Sequence, residues 1–190
     1  PKELREIVKN IEFELESRLD TLALPENLLE AAKYAVMNGG KRVRPALSIL
    51  CCEAVGGTIE QAMPAAIAVE FIHCFSLVHD DLPAIDNDDL RRGKPTLHIK
   101  SGEAMAVLAG DLLLPVAFSQ LISETFTIKQ QATLTKVLAS ATSNIVIGQV
   151  YDTLGGLPKH LNAQEQLEEI HRNKTGVLIQ CACEMGAICG

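Results

Sequence analysis

The chain has 190 residues, 47% of them hydrophobic and 22% charged, with a formal net charge of −7. That length allows one domain with a sizeable core. The apolar content excludes a disordered chain, and the acidic balance excludes a nucleic-acid surface, which is basic overall. An anionic small substrate stays open, because a metal and a local basic cluster invert the field at one site. Aromatics are 4% and tryptophan is absent, so the expected core is aliphatic.

In chain order, Lys2 to Leu19 carries Leu4, Ile7, Val8, Ile11 and Leu15 at helical spacing. Pro25 opens a second helix to about Asn38, which Gly39-Gly40 ends. A third helix runs from about Pro45 to Val55, and Gly56-Gly57 turn the chain into a long apolar run, Ala62 to Leu82, that reads as a buried helix. Ser101 and Glu103 open another helix through about Ser123. Thr127 to Leu154 and Ala163 to Ile188 complete the set, with a loop over Pro158 to Asn162. No segment alternates with period two, so the fold class expected is all-α, with 1–190 as a single domain.

Six cysteines lie in apolar helical stretches, with no CxxC pair and no zinc spacing. They read as buried free thiols, which suits a reducing, cytoplasmic location. The charged, amphipathic N-terminus is unlike a signal peptide. Asp111 and Pro115 interrupt the apolar stretch Ala104 to Phe118, so no membrane span is expected.

The most informative stretch is His73 to Lys94. An apolar run ends in five aspartates (Asp80, Asp81, Asp86, Asp88, Asp89) and then three basic residues (Arg91, Arg92, Lys94). Pro83 stops the helix, which puts Asp80 and Asp81 in its last turn, against the negative end of the helix dipole. A solvated acidic helix end is the bland explanation. A divalent cation is the sharper one, since Mg²⁺ takes carboxylates together with substrate phosphates. Carboxylates for metal beside arginines for oxyanions make a diphosphate site in two halves. An EF-hand fails, because Leu90, Arg91 and Leu97 stand where it needs an oxygen ligand, Gly and Glu.

Gly39-Gly40-Lys41-Arg42-Val43-Arg44-Pro45 sets three cations at a helix N-terminus, a second anion site unless it is a solvated basic turn. His73, two helical turns before Asp80, faces the same side and reaches a second anion deeper in the same cavity. Phe75 and Ser76 lie about a turn below the aspartates, where a tail from a bound head group would run; plain core packing is the alternative. Gln149 and Asp152 share a face, and Lys174 with Thr175 suits an oxyanion or a developing positive centre. A hydrogen-bonded core residue is the bland alternative for a lone histidine on an apolar helix such as His73, and His79, His98, His160 and His171 are placed in that class.

The stretches GGKRVRP (39–45), DDLPAIDNDDLRRGKPT (80–96), GQVYD (148–152) and NKTG (173–176) together closely resemble the trans-isoprenyl diphosphate synthases, or polyprenyl synthetases, in the family's own order. The second stretch looks like the family's first aspartate-rich motif in its long form, similar to bacterial farnesyl diphosphate synthases and plant-type geranylgeranyl diphosphate synthases. The resemblance implies an isoprenoid synthase-type helical bundle around a central cavity. It implies Mg²⁺ on Asp80 and Asp86, with Asp81 supporting, gripping an allylic diphosphate that Arg91 also contacts. Arg92, Lys41, Arg44 and His73 would bind isopentenyl diphosphate. Lys174, Thr175 and Gln149 would sit near the allylic carbon, and Phe75 with Ser76 would set chain length, as in the bacterial farnesyl type.

The activity so implied is Mg²⁺-dependent head-to-tail condensation of isopentenyl diphosphate with dimethylallyl or geranyl diphosphate, giving farnesyl diphosphate, by a homodimer. Geranylgeranyl diphosphate synthesis, a non-catalytic synthase subunit and a terpene cyclase are the alternatives; a cyclase would line its cavity with aromatics. The family's second aspartate-rich motif does not occur here. The chain is therefore expected to correspond to the N-terminal two-thirds of the family fold, with the C-terminal part missing, and the resemblance supports binding more directly than turnover by this piece alone.

Overall fold

Helix α4 (Ile59–Asp80) is buried along most of its length, and the other long helices are arranged around it. The computed structural model describes residues 2–190. Thr58 starts α4 with a reciprocal cap: its hydroxyl accepts the Gln61 amide, and the Gln61 side chain accepts the Thr58 amide at 2.8 Å. From Ala62 to Ile72 every residue is buried. A helix apolar all round has no polar face to show water, so it must be enclosed. Fully buried Ile67, Phe71 and Ile72 each contribute about 1.5–3 kcal/mol of transfer free energy. By length and composition α4 would cross a membrane, but 78% of its most apolar window is buried in the protein, as in the core helix of a globular fold.

The enclosing helices are α1 (Lys2–Asp20), α2 (Glu26–Met37), α3 (Val43–Ala54), α6 (Glu103–Ser119), α7 (Ile128–Thr153) and α9 (Val177–Cys189). Ile7, Ile11, Leu15 and Leu19 form the buried stripe of α1 that the spacing predicts. Helices α3 and α9 approach closely enough for Ser48 to donate to the Ala182 carbonyl at 2.8 Å. All six cysteines are free, and burial pushes the Cys74, Cys181 and Cys189 thiols up to about 12. Cys51 and Cys183 are only half-buried, which departs from the fully buried reading.

Three departures from the expected elements matter. The helix expected from Ser101 to Ser123 is two helices, α5 (Leu97–Ser101) and α6, because Gly102 takes φ 86° and breaks the ladder; α6 then ends at Ser119. Leu90–Arg91 (β1) and Lys94–Pro95 (β2) pair antiparallel as a small hairpin, turned by Arg92 at φ 55° and Gly93 at φ 77°. Two positive φ angles are the signature of the tight turn that matches strand twist. The last helix is α8 (Ala163–His171), then a π-helical segment, Arg172–Gly176, then α9.

Candidate functional site: two cavities at the end of α4

The last two turns of α4 carry Phe75, Ser76, His79 and Asp80 into an apolar cavity of about 220 Å³. Ile145, Gln149 and Val150 of α7 form the facing wall. Asp80 sits at the mouth. Beyond Pro83 the chain doubles back: the Asp86 amide donates to the Asp80 carbonyl at 2.9 Å, and Asn87 adopts φ 52°. This fold-back brings Asp86 to the end of the helix. Burial, reinforced by Asp86 and Asp81 and opposed by Lys174, pushes the Asp80 carboxyl up to about 6. Such a carboxylate sits at a cost that a neighbouring cation relieves.

Lys174 is the cation now beside it, 2.7 Å from Asp152 and 4.0 Å from Asp86. Burial works against its charge, but the Asp152 hydrogen bond and the Asp80 and Asp86 carboxylates outweigh that and hold its pKa above the ordinary lysine value. The π segment gives Lys174 this position. A side chain on Gly148 of α7 would overlap the backbone of Asn173 and Lys174, so only glycine lets the segment lie flat on α7. Asp81 caps α4, is 4% exposed, and is gripped by Arg91, whose Nε lies 2.8 Å from both carboxylate oxygens. No group of three or more metal-ligating side chains is preassembled among the described residues. The donor set nonetheless fits a hard divalent ion: carboxylate oxygens, one at a raised pKa, converging on one cavity mouth.

The second cavity, of about 500 Å³, is lined by Gly40, Lys41, Arg44, His73 and Arg92, with Arg42 and Glu70 at its base. Arg42 departs from the expected set of three cations offered to an anion. It takes φ 49°, turns inward to 2% exposure, pairs with Glu70 at 2.8 Å and donates to the Val36 carbonyl. Lys41 and Arg44 remain as the cations facing the cavity. An Arg44 terminal nitrogen lies 3.3 Å from His73 Nε2, and its Nε is buried without a partner. Arg92 donates to the Gly39 carbonyl, an approach that a side chain at Gly40 would block.

His73 lines this basic cavity, whereas Asp80 lines the apolar one, so they do not share a cavity as their spacing suggested. Burial, then the charges of Arg44, Arg92, Arg42 and Arg91, lowers the His73 pKa to about 3. The unfolded chain therefore binds a proton near pH 6.5 that the folded chain refuses. Stability carried by neutral His73 is present above pH 6.5 and lost as pH falls toward 3, with a slope of about 1.4 kcal/mol per pH unit. His73→Gln is expected to flatten that acid limb in urea titrations between pH 6.5 and 4. An unchanged limb would assign the acid sensitivity to other groups.

Residues 25–190 match the polyprenyl synthetase family along their whole length. The chain belongs to the polyprenyl synthetase family. It is 48% identical over 176 residues to geranylgeranyl pyrophosphate synthase 7, chloroplastic, of Arabidopsis thaliana, covering 90% of this chain and 50% of that protein. It is also 48% identical over 175 residues to the large subunit 1 of the chloroplastic heterodimeric geranylgeranyl pyrophosphate synthase of the same plant, covering 87% and 47%. Among solved structures it superposes on a geranyltransferase from Legionella pneumophila with TM-score 0.93 at 36% identity, covering 100% of this chain and 68% of that one. For an FPP/GFPP synthase from Zymomonas mobilis the values are 0.89 and 35%, covering 100% and 70%. The chain thus spans about half the length of the curated relatives it matches.

In this member of the family, the residues expected to act together fall into two groups. Asp80, Gln149, Phe75 and Ser76 line the apolar cavity, with Asp86 and Lys174 beside Asp80 but outside that lining, and Lys41, Arg44, His73 and Arg92 line the basic one. Arg91 and Asp81 bind each other between them. Thr175 is not brought in: it is exposed on the π segment. Gln149 donates to Thr153 at 3.0 Å within α7. Sequence reasoning missed Glu70, whose only signal was a carboxylate inside an apolar run, and His79, which lines the tail cavity. His98 is the buried core histidine expected, 3.1 Å from the Thr96 hydroxyl, whereas His160 and His171 are exposed and not core residues.

Proposed function

We propose that this polyprenyl synthetase belongs to an enzyme joining isopentenyl diphosphate head-to-tail to an allylic diphosphate. The observation that carries the reading is the pairing of a carboxylate turn at the mouth of an apolar cavity with a basic cavity beside it, bridged by Arg91 and Arg92 on one hairpin. Asp80 and Asp86, with Asp81, would hold Mg²⁺, which when bound takes up negative charge developing on the leaving diphosphate. Arg91 and Lys174 would orient that diphosphate as the allylic C–O bond breaks and its electrons pass to the leaving oxygen. Lys41, Arg44 and Arg92 would hold isopentenyl diphosphate, with neutral His73 as a hydrogen-bonding wall. The isopentenyl double bond then attacks the allylic cation, and the proton lost leaves with the released diphosphate. The aliphatic walls keep water from the cation.

Phe75, 8% exposed, packs across the tail cavity about a turn and a half below Asp80 and supports a fifteen-carbon product. The geranylgeranyl activity in the names of the curated relatives supports a twenty-carbon one. Exposed Val107 and Leu108 on α6 and Val146, Ile147 and Val150 on α7 supply apolar surface for a homodimer, and the heterodimeric relative makes a mixed assembly the competing case. Free thiols suit a reducing compartment, either the cytoplasm or the plastid in which two relatives are named.

The test supplies geranyl and isopentenyl diphosphates to this chain, and to any longer parent chain, with and without Mg²⁺, and reads products by mass spectrometry. A Mg²⁺-dependent fifteen-carbon product supports the farnesyl reading. A twenty-carbon product sinks the farnesyl assignment but keeps the chemistry. Product from the longer parent alone makes the 190 residues an incomplete piece of the enzyme, and absence of product from both folded chains favours a non-catalytic subunit.

A further inference from the structure

His79 stands out in the tail cavity because three separate contacts hold its ring. The ring meets Phe75 edge-on, with centroids 4.8 Å apart and planes at 68°. Its Nε2 lies 3.3 Å from the Val107 carbonyl and 3.7 Å from Asp111, both on α6. The ring also fills the place where Gly110 has no side chain; a methyl group there would overlap Nε2 and Cδ2. His79 therefore spans the gap between α4 and α6 while presenting a ring to the same cavity as Phe75, Ser76 and Ile145. On the α6 side of this ring are the exposed side chains of Val107 and Leu108.

We propose that His79 is a specificity residue: with Phe75 it forms a two-ring barrier across the tail cavity, and α6 holds that barrier in place through Val107 and the bare backbone of Gly110. The inference rests on the fifteen-carbon form of the synthase reading above and adds that tail length is decided by two rings on two supports. Phe75 is the floor directly below the head group. His79 closes the way round it toward α6. An isoprenoid tail growing by five carbons must displace one ring or the other. Phe75 is tied only by packing, whereas His79 is tied by a hydrogen bond and a shape fit. An edge-to-face ring pair adds about 0.5–1.5 kcal/mol beyond its buried area, so each ring stiffens the other.

The geometry separates the support from the ring. His79→Ala removes both. His79→Phe keeps a ring of similar span and loses the bond to Val107. Gly110→Ala leaves His79 intact but pushes it off α6 into the cavity; the atoms it meets belong to a side chain, so the fold accommodates it. The experiment measures binding of unreactive geranyl, farnesyl and geranylgeranyl thiodiphosphates with Mg²⁺ by calorimetry, alongside product length in whichever chain turns over. Wild type is expected to favour the fifteen-carbon tail over the twenty-carbon one. His79→Ala should shrink that preference by about tenfold or more, the scale of a hydrocarbon unit in an apolar pocket, His79→Phe should restore it, and Gly110→Ala should steepen it. Wild-type discrimination in a folded His79→Ala protein overturns the barrier and leaves the synthase reading standing. Failure of wild type to bind any of the three tails overturns both.

Discussion

Asp80→Asn is expected to reduce turnover by about a thousandfold, the scale of losing a group that stabilises the leaving charge, or about 4 kcal/mol of barrier. The same change should raise stability at pH 7 in metal-free buffer. The Asp80 carboxyl is raised to about 6 by burial, so the folded state holds a proton through a window in which the unfolded chain, titrating near 3.8, has released it. Stability from this group is present below about 3.8 and lost as pH rises toward 6; above that the buried charge is a standing cost. Partial contact with water reduces that cost to about 1–2 kcal/mol, which corresponds to a Tm rise of about 2–8 °C in the variant. Opposite movements of activity and Tm mark a group kept for chemistry at the expense of the fold. Activity within tenfold of wild type, in a chain shown to turn over, would remove Asp80 from the centre of the site.

Arg42→Met is expected to destabilise the fold by about 3–5 kcal/mol, because it strands the Glu70 carboxylate in the core. Pairing it with Glu70→Met, as Arg42→Met/Glu70→Met, should recover most of the loss, since two apolar side chains leave no unpaired charge. Urea midpoints of the two single variants and the double variant measure this directly as a cycle. If Arg42 instead faced a substrate anion, the single variant would keep its midpoint and lose only affinity for isopentenyl diphosphate.

The difference between Arg42 and its neighbours shows where sequence reading stops. Lys41, Arg42 and Arg44 carry the same charge within four positions, and periodicity does not say which one turns inward. Glu70 decides it, 28 residues later, from inside a helix otherwise built of apolar side chains. Features set by local chemistry were legible: Gly39-Gly40 follow the end of α2, and α4 ends at Asp80, three residues ahead of Pro83. Features set by a distant backbone were not. The π segment depends on Gly148 across the interface, and its own sequence reads as continuous helix. The hairpin has two residues per strand, too few for alternation to register. The carboxylates and cations of the site were found by type and order, but their division between two cavities depends on how α4, the hairpin and the π segment meet.

Arg91 is engaged with Asp81, Arg92 with the Gly39 carbonyl, and Lys174 with Asp152. On the proposed reading, a diphosphate arriving here would have to exchange partners instead of filling a vacancy, so its affinity would be the difference between two charge-assisted contacts. The exchange has a further side. An anion that captured Arg91 alone would strand the Asp81 carboxylate at 4% exposure, and a cation that captured Asp81 alone would strand the guanidinium. When both arrive, the broken pair is replaced on each side and neither charge is left unmatched. The two occupants would then strengthen one another, and by thermodynamic reciprocity each would raise the other's affinity by the same factor.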